Sequence, residues 1–383
     1  MKKIVCLLEG ITDRPLRDLG GVTPLQKAPT PNLDAMAKNG SVAALLPPPA
    51  CPTEEAALMA LLGFDGDLNL VRRGPLEACA LGEDLTRGQV AFSVRFVSSG
   101  QGVIVDVSDE VLSDSEGKLF CDALNAGMER EHCRFIPVAG PRAVLITDNP
   151  VFVEVADKQT PHPVDTIGMK WKEVLGKNRD LKKLLKQISC LLERHEINAL
   201  REDLEETIVN ACLLCEGGSF LSLGTKDDIS RTLVCTTAPS LIGAAKMAGV
   251  DVWTFPTEQR KFHHLRTLLK RLDTVEADTL VVVVPYLWRS TYKGDLLEKV
   301  KTIEWLDRNF VGPLKDWCEK EACDFVVGAL RHSDISEGRM VEGATPLACF
   351  PQKNKEPSSI DLFDEQLLET ATQTLPLSEL LSW

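Results

Sequence analysis

The stretch Thr279-Leu280-Val281-Val282-Val283-Val284 decides the fold. Its apolar residues run without alternation, so both faces must be covered, as in a central parallel strand with helices on either side. Similar runs lie at Lys3–Leu8, Thr207–Leu214, Thr232–Cys235, Val250–Phe255 and Asp324–Leu330. Between them fall helical patterns at Asn32–Asn39, Thr53–Leu62, Ser240–Ala248, Gln259–Leu272 and Leu296–Lys320. Strands alternating with helices of this length predict an α/β chain with a doubly wound, mostly parallel sheet.

The middle of the chain reads differently. Val90–Val97 and Val103–Val107 form one strand pair across Ser-Ser-Gly-Gln-Gly, and Arg134–Val138 and Ala143–Thr147 a second across Ala139-Gly140-Pro141. A helical stretch near Glu116–Met128 separates the pairs, and a polar helical segment, Asp180–Glu206, follows them. The expected organisation is an α/β core from residues 1–75 and 205–383, with an α+β domain, 76–204, inserted between.

Length and composition bound the function. A chain of 383 residues exceeds one average domain of about 100–200 residues. Hydrophobic residues are 44% and charged residues 26%, enough to bury a full core. The net charge of −13 argues against a nucleic-acid binder or a partner of anionic membranes. No apolar run reaches the roughly 18 residues that span a bilayer. The apolar start of the chain stops at Glu9, too short for a signal peptide, which predicts a cytoplasmic protein with reduced thiols. The one CxxC, Cys212-Leu213-Leu214-Cys215, has no second pair to complete a zinc ribbon, so its cysteines read as core positions of a strand.

Several strings carry chemistry. Glu9-Gly10-Ile11-Thr12-Asp13-Arg14-Pro15 follows the first strand. Thr30-Pro31-Asn32-Leu33-Asp34, Leu62-Gly63-Phe64-Asp65 and Arg73-Gly74-Pro75-Leu76-Glu77-Ala78 come next. Thr160-Pro161-His162, Val209-Asn210-Ala211, Gly294-Asp295 with Lys299-Val300-Lys301, and Asp307-Arg308 with Val311-Gly312-Pro313-Leu314 complete the series. In this order, over nearly the whole chain, they resemble the archaeal-type cofactor-independent (2,3-bisphosphoglycerate-independent) phosphoglycerate mutase family of the alkaline phosphatase superfamily. The resemblance implies an alkaline-phosphatase-like core with an inserted domain. It also implies interconversion of 3- and 2-phosphoglycerate through a phosphorylated serine activated by two divalent ions, usually manganese. Such transfer needs a positioned nucleophile and concentrated positive charge on the moving oxygens.

Carried over residue by residue, the resemblance puts the first metal-binding Asp on Glu9 and the nucleophile on Glu54, or on Thr53 with one gap. The remaining metal positions fall on Trp288, Tyr292, Leu330, Arg331 and Met340. A one-residue shift brings His332 to the Asp-His position with Asp334 nearby, yet no histidine lies between His264 and His332. Glu9 is thus the only surviving metal ligand, and Arg331 sets a fixed positive charge where a cation would sit. Thr53, between Pro52 and Glu54-Glu55, has the signature of a helix N-cap. Arg14, Arg73 and Arg142 stand where the family keeps arginines and can hold a phosphorylated small acid by bidentate contacts; His162 can line the same cleft.

The expectation is a homologue that keeps the fold and has lost the two-metal chemistry, a binding or regulatory protein with no cofactor. Its ligand would be a phosphorylated small acid or a protein partner, the latter through Trp288-Arg289-Ser290-Thr291-Tyr292 if that segment is exposed. The alternative is an active mutase, or a related phosphoryl transferase, with a reduced manganese or magnesium site.

Overall fold

A computed structural model of the chain describes residues 1–48, 51, 53–107, 111–158, 160–174, 176, 178–219, 231–255, 262–351 and 360–383. The chain forms two compact units, Met1–Asn69 with Leu223–Trp383, and Leu70–Ser222. In chain order the strands are β1 (Lys3–Leu8), β2 (Ser41–Leu46), β3 (Val90–Gly100), β4 (Val103–Asp106), β5 (Cys133–Ala139), β6 (Arg142–Thr147) and β7 (Ala211–Gly218). There follow β8 (Thr232–Cys235), β9 (Asp251–Trp253), β10 (Thr279–Val284), β11 (Asp324–Gly328), β12 (His332–Asp334), β13 (Arg339–Val341), β14 (Thr345–Phe350) and β15 (Thr374–Pro376).

The first unit is built on one sheet in the order β15-β2-β14-β11-β1-β10-β8-β9. β1 lies at its centre, parallel to β10, with Leu8 opposite Val284, and parallel to β11, with Leu7 opposite Gly328. Every residue of β1 is buried, as the unalternating sequence requires of a strand covered on both faces. Alternate residues of β1 and β10 (Ile4, Cys6, Leu8; Leu280, Val282, Val284) enter one apolar cluster with Leu265, Leu268, Leu306 and Leu314 from the covering helices. Each such buried aliphatic side chain contributes about 1.5–3 kcal/mol. The parallel register has a chemical consequence: the segments that follow β1, β10 and β11 all emerge at the same edge of the sheet.

The second unit is an antiparallel sheet, β4-β3-β6-β5, with β7 against β3. The helix Asp114–Gly127 starts at a capping box in which Ser113 and Glu116 satisfy each other's backbone N–H groups. The division differs from the expected boundaries at 75/76 and 204/205. The run expected at Thr207–Leu214 forms β7 and pairs antiparallel with β3, Phe96 opposite Cys212, rather than joining the core sheet. A buried apolar run carries no label for its sheet, and the eleven-residue β3 offers an edge that β7 closes. Cys212 and Cys215 are buried in β7, and burial pushes both thiols up to about 12. The expected Asp180–Glu206 helix is two, Arg179–Glu193 and Glu196–Asp203, the second capped by His195 Nδ1, which accepts from Ile197 N–H at 3.2 Å.

The expected Leu296–Lys320 helix is likewise interrupted. A π-turn at Asp307–Val311 separates helices Leu296–Leu306 and Gly312–Glu321. The turn sets the buried Asp307 carboxylate on the start of the helix Pro31–Asn39, where Oδ1 accepts from Leu33 N–H at 2.8 Å and Oδ2 from Asn32 Nδ2 at 2.9 Å. A negative charge at a helix N-terminus satisfies its unpaired N–H groups. A Cβ on Gly312 would come within 2.9 Å of Asn32 Oδ1, so the close approach requires glycine there. The helix expected at Gln259–Leu272 is seen as His263–Arg271; residues 259–261 lie outside the described residues. Among the described residues no helix is long and apolar enough to cross a membrane.

Candidate functional site

Glu9 is the first residue beyond β1 and is fully buried. Its Oε1 accepts from Leu330 N–H at 2.6 Å, two residues beyond the end of β11, while Oε2 has no hydrogen-bond partner. Glu54 opens the helix Glu54–Leu61 and is 3% exposed. Arg331 follows Leu330, and its Nη1 lies 3.9 Å from Glu54 Oε1. Burial, reinforced by the Glu54 carboxylate, pushes the Glu9 carboxyl up to about 8 against the opposing pull of the Leu330 N–H and the Arg331 guanidinium. The Cys51 thiol feels the same charges; burial raises it to about 11. A cavity of about 300 Å³ borders Arg331, with Pro47, Cys51, Glu342 and Gly343 among its walls.

After β10 the chain turns into the helix Tyr286–Lys293. Gly10, at φ +81°, lets that turn approach: a Cβ there would lie 3.1 Å from the Leu287 carbonyl carbon and 3.2 Å from Trp288 N. The Trp288 Nε1–H is buried without a partner. Within the segment expected to offer a protein contact, Arg289 is exposed, Trp288 and Tyr292 are half-buried, and Ser290 and Thr291 are buried, so no continuous exposed face exists there.

A second charged cluster lies in the same unit. Lys299 is fully buried, and its Nζ donates to Asp13 Oδ2 at 2.5 Å, Ser333 Oγ at 2.7 Å and Thr291 Oγ1 at 3.0 Å. Asp13 Oδ1 accepts from Arg14 N–H and Ile335 N–H, at 2.8 and 3.1 Å. Glu365 accepts from Asp13 N–H at 2.8 Å and Thr23 Oγ1 at 2.7 Å; burial nonetheless raises its carboxyl to about 7. The expectations assigned no role to this network, although Asp13 and Lys299 both lie in the quoted strings.

The other expected residues are placed as follows. Thr53 is the N-cap of its helix, its Oγ1 accepting from Ala56 N–H at 3.2 Å. Leu330 contributes its backbone N–H, and its side chain belongs to the core. Met340 sits in β13, opposite Ser333. His332 Nδ1 is buried without a partner, and burial lowers its pKa. Arg14 pairs with Asp334 at 3.1 Å with its side chain 58% exposed. Arg73, Arg142 and His162 belong to the second unit. Arg73 opens the helix Arg73–Ala80, its N–H donating to Glu216 Oε2 at 3.4 Å. Arg142 lies on β6 opposite Arg95, and His162 caps the short turn Pro163–Thr166.

Among the described residues, the side chains at the positions carried over from the resemblance do not fit two divalent ions. Two adjacent ions need many oxygen and nitrogen donors. The positions where the resemblance puts metal ligands supply an indole, a phenol, an isobutyl group, a thioether and a guanidinium in addition to Glu9, and the Thr53 hydroxyl is engaged in capping.

Known proteins share this architecture. The family model for 2,3-bisphosphoglycerate-independent phosphoglycerate mutase matches residues 36–198. The mutase of that name from Methanosarcina mazei is 26% identical over 98% of this chain and 97% of its own length, and that from Methanosarcina barkeri 27% over 96% and 94%. A solved protein from Pyrococcus horikoshii superposes with a TM-score of 0.76 at 18% identity, covering all of this chain and 95% of the other. The cofactor-independent phosphoglycerate mutase of Thermoplasma acidophilum superposes at 0.57 and 22%, covering all of this chain and 98% of its own. With a mostly parallel sheet of the alkaline-phosphatase-like kind and relatives matched nearly from end to end, the chain is similar over its whole length to the archaeal-type cofactor-independent phosphoglycerate mutases.

Proposed function

We propose that this chain is a binding protein, without the phosphoglycerate mutase activity that the names of its relatives describe. The Arg331 guanidinium beside Glu54 supports the reading more than any other observation. A permanent cation and a carboxylate take the places where the reaction needs removable ions and a hydroxyl nucleophile. Thr53 remains an unactivated alcohol in this reading. Each metal contribution is worth several kcal/mol, so the rate falls by many orders of magnitude. The ligand class is a phosphorylated small acid, with Arg14 as the candidate anion contact in the first unit. The protein acts in the cytoplasm on this reading.

A coupled mutase assay with manganese and 3-phosphoglycerate tests the reading together with thermal shifts. The expected result is no turnover above buffer, and a rise in Tm with millimolar 2- or 3-phosphoglycerate that shrinks in Arg14→Ala. Turnover abolished by Glu9→Ala or Thr53→Ala would establish the active-enzyme alternative instead. A flat Tm would remove the phosphorylated acid as ligand.

A further inference from the structure

We propose that Arg331 is the resident cation of the strand-end site: it holds the place beside Glu9 and Glu54 against divalent ions, and its removal creates a site for one such ion. The inference deepens the proposed function and rests on it. Glu9 is 0% exposed and presents Oε2 with no hydrogen-bond partner, an acceptor that burial has taken from water. Its other oxygen is pinned by the Leu330 N–H at 2.6 Å, so the carboxylate cannot swing away. Arg331 is the next residue in the chain, and its guanidinium reaches Glu54 Oε1 at 3.9 Å while acting electrostatically on Glu9 and on Cys51. Because a guanidinium keeps its charge at every accessible pH, the site carries a fixed positive charge without any ion.

The side chain of Arg331 is 10% exposed, and that exposure borders the cavity shared with Cys51 and Glu342. Truncating Arg331 therefore does two things together. It removes the guanidinium that acts on Glu9 and Glu54, and it widens the chamber of about 300 Å³ that Arg331 borders, through which an ion can enter. A hard divalent cation such as Mn²⁺ suits two carboxylates completed by waters.

Mn²⁺ titration followed by calorimetry and water-proton relaxation tests this on the full chain and on Arg331→Ala, Arg331→Met, Arg331→Lys and Arg331→Ala/Glu9→Gln. Wild type and Arg331→Lys should show no saturable binding below the millimolar range. Arg331→Ala and Arg331→Met should each take up one Mn²⁺ per chain, at least about tenfold tighter than wild type, and gain Tm with the ion. Adding Glu9→Gln should cancel the gain. A folded Arg331→Ala or Arg331→Met that binds no Mn²⁺ would overturn the inference, as would wild type binding Mn²⁺ as tightly as Arg331→Ala. Manganese-dependent turnover by wild type would instead overturn the proposed function, so the two failures are distinguishable.

Discussion

Two buried charged clusters lie in the first unit, and they are built to opposite standards. Around Lys299 the ammonium has three acceptors, all within 3.0 Å, and the Asp13 carboxylate is held from both oxygens. Around Glu9 the ion pair of Arg331 with Glu54 spans 3.9 Å, and Glu9 Oε2 is left unmatched. A saturated buried network fixes one arrangement of the backbone, here the loop after β1, the helix Leu296–Leu306 and β12. An unsaturated one stores polar capacity at a place where the fold does not need it, which is where ligand chemistry would be sought. The difference separates residues that hold the architecture from residues that face a ligand.

The largest expected effect tests the saturated side. Lys299→Met leaves Asp13 as an unpaired buried charge, which should cost about 3–5 kcal/mol in urea unfolding, with part of it recovered in Lys299→Met/Asp13→Asn. A cost near zero would dissolve the comparison, since the network would then hold nothing. Next comes the unsaturated side. Between the ordinary 4.5 and about 8, folded Glu9 keeps a proton that the unfolded chain has lost. Wild-type stability should therefore fall as pH rises through that window and level off above it, by up to a few kcal/mol from this group. Glu9→Gln should remove this slope, so thermal melts of the two proteins should diverge from pH 5 to pH 8; parallel curves would place Glu9 in a solvated setting. The smallest effect is Thr53→Ala, expected to cost about 1 kcal/mol by loss of the cap. A far larger loss in a ligand-binding assay than in stability would sharpen the comparison by moving Thr53 to the ligand side.

The strings that carry family resemblance can be read against the same division. Thr30–Asp34 and Asp307–Pro313 meet as a capped helix start against a π-turn, an explanation within the fold for strings first noticed as motifs. The sheet was legible because β1 and β10 cannot tolerate solvent on either face. The destination of β7 was not, since its apolar run suits either sheet and only the long partner β3 selects between them. Glu9, Glu54 and Arg331 were set side by side only by the resemblance, since they lie far apart in sequence, after β1, at a helix start and after β11. The Lys299 network was hidden because its partners lie 286 and 34 residues away in sequence, and a lysine on a helix reads as solvated until tertiary packing buries it.

The central position of β1 constrains how the protein is made. β1 has its neighbours far downstream, at residues 279–284 and 324–328, so it waits for them while the inserted unit 70–222 is synthesised. The described strands of that unit pair with one another, so it can fold during synthesis, before the sheet that flanks it in sequence closes. Its folding shortens the effective loop between β1 and β10, so mutations that weaken β3 or β7 would slow assembly of a sheet to which neither strand belongs.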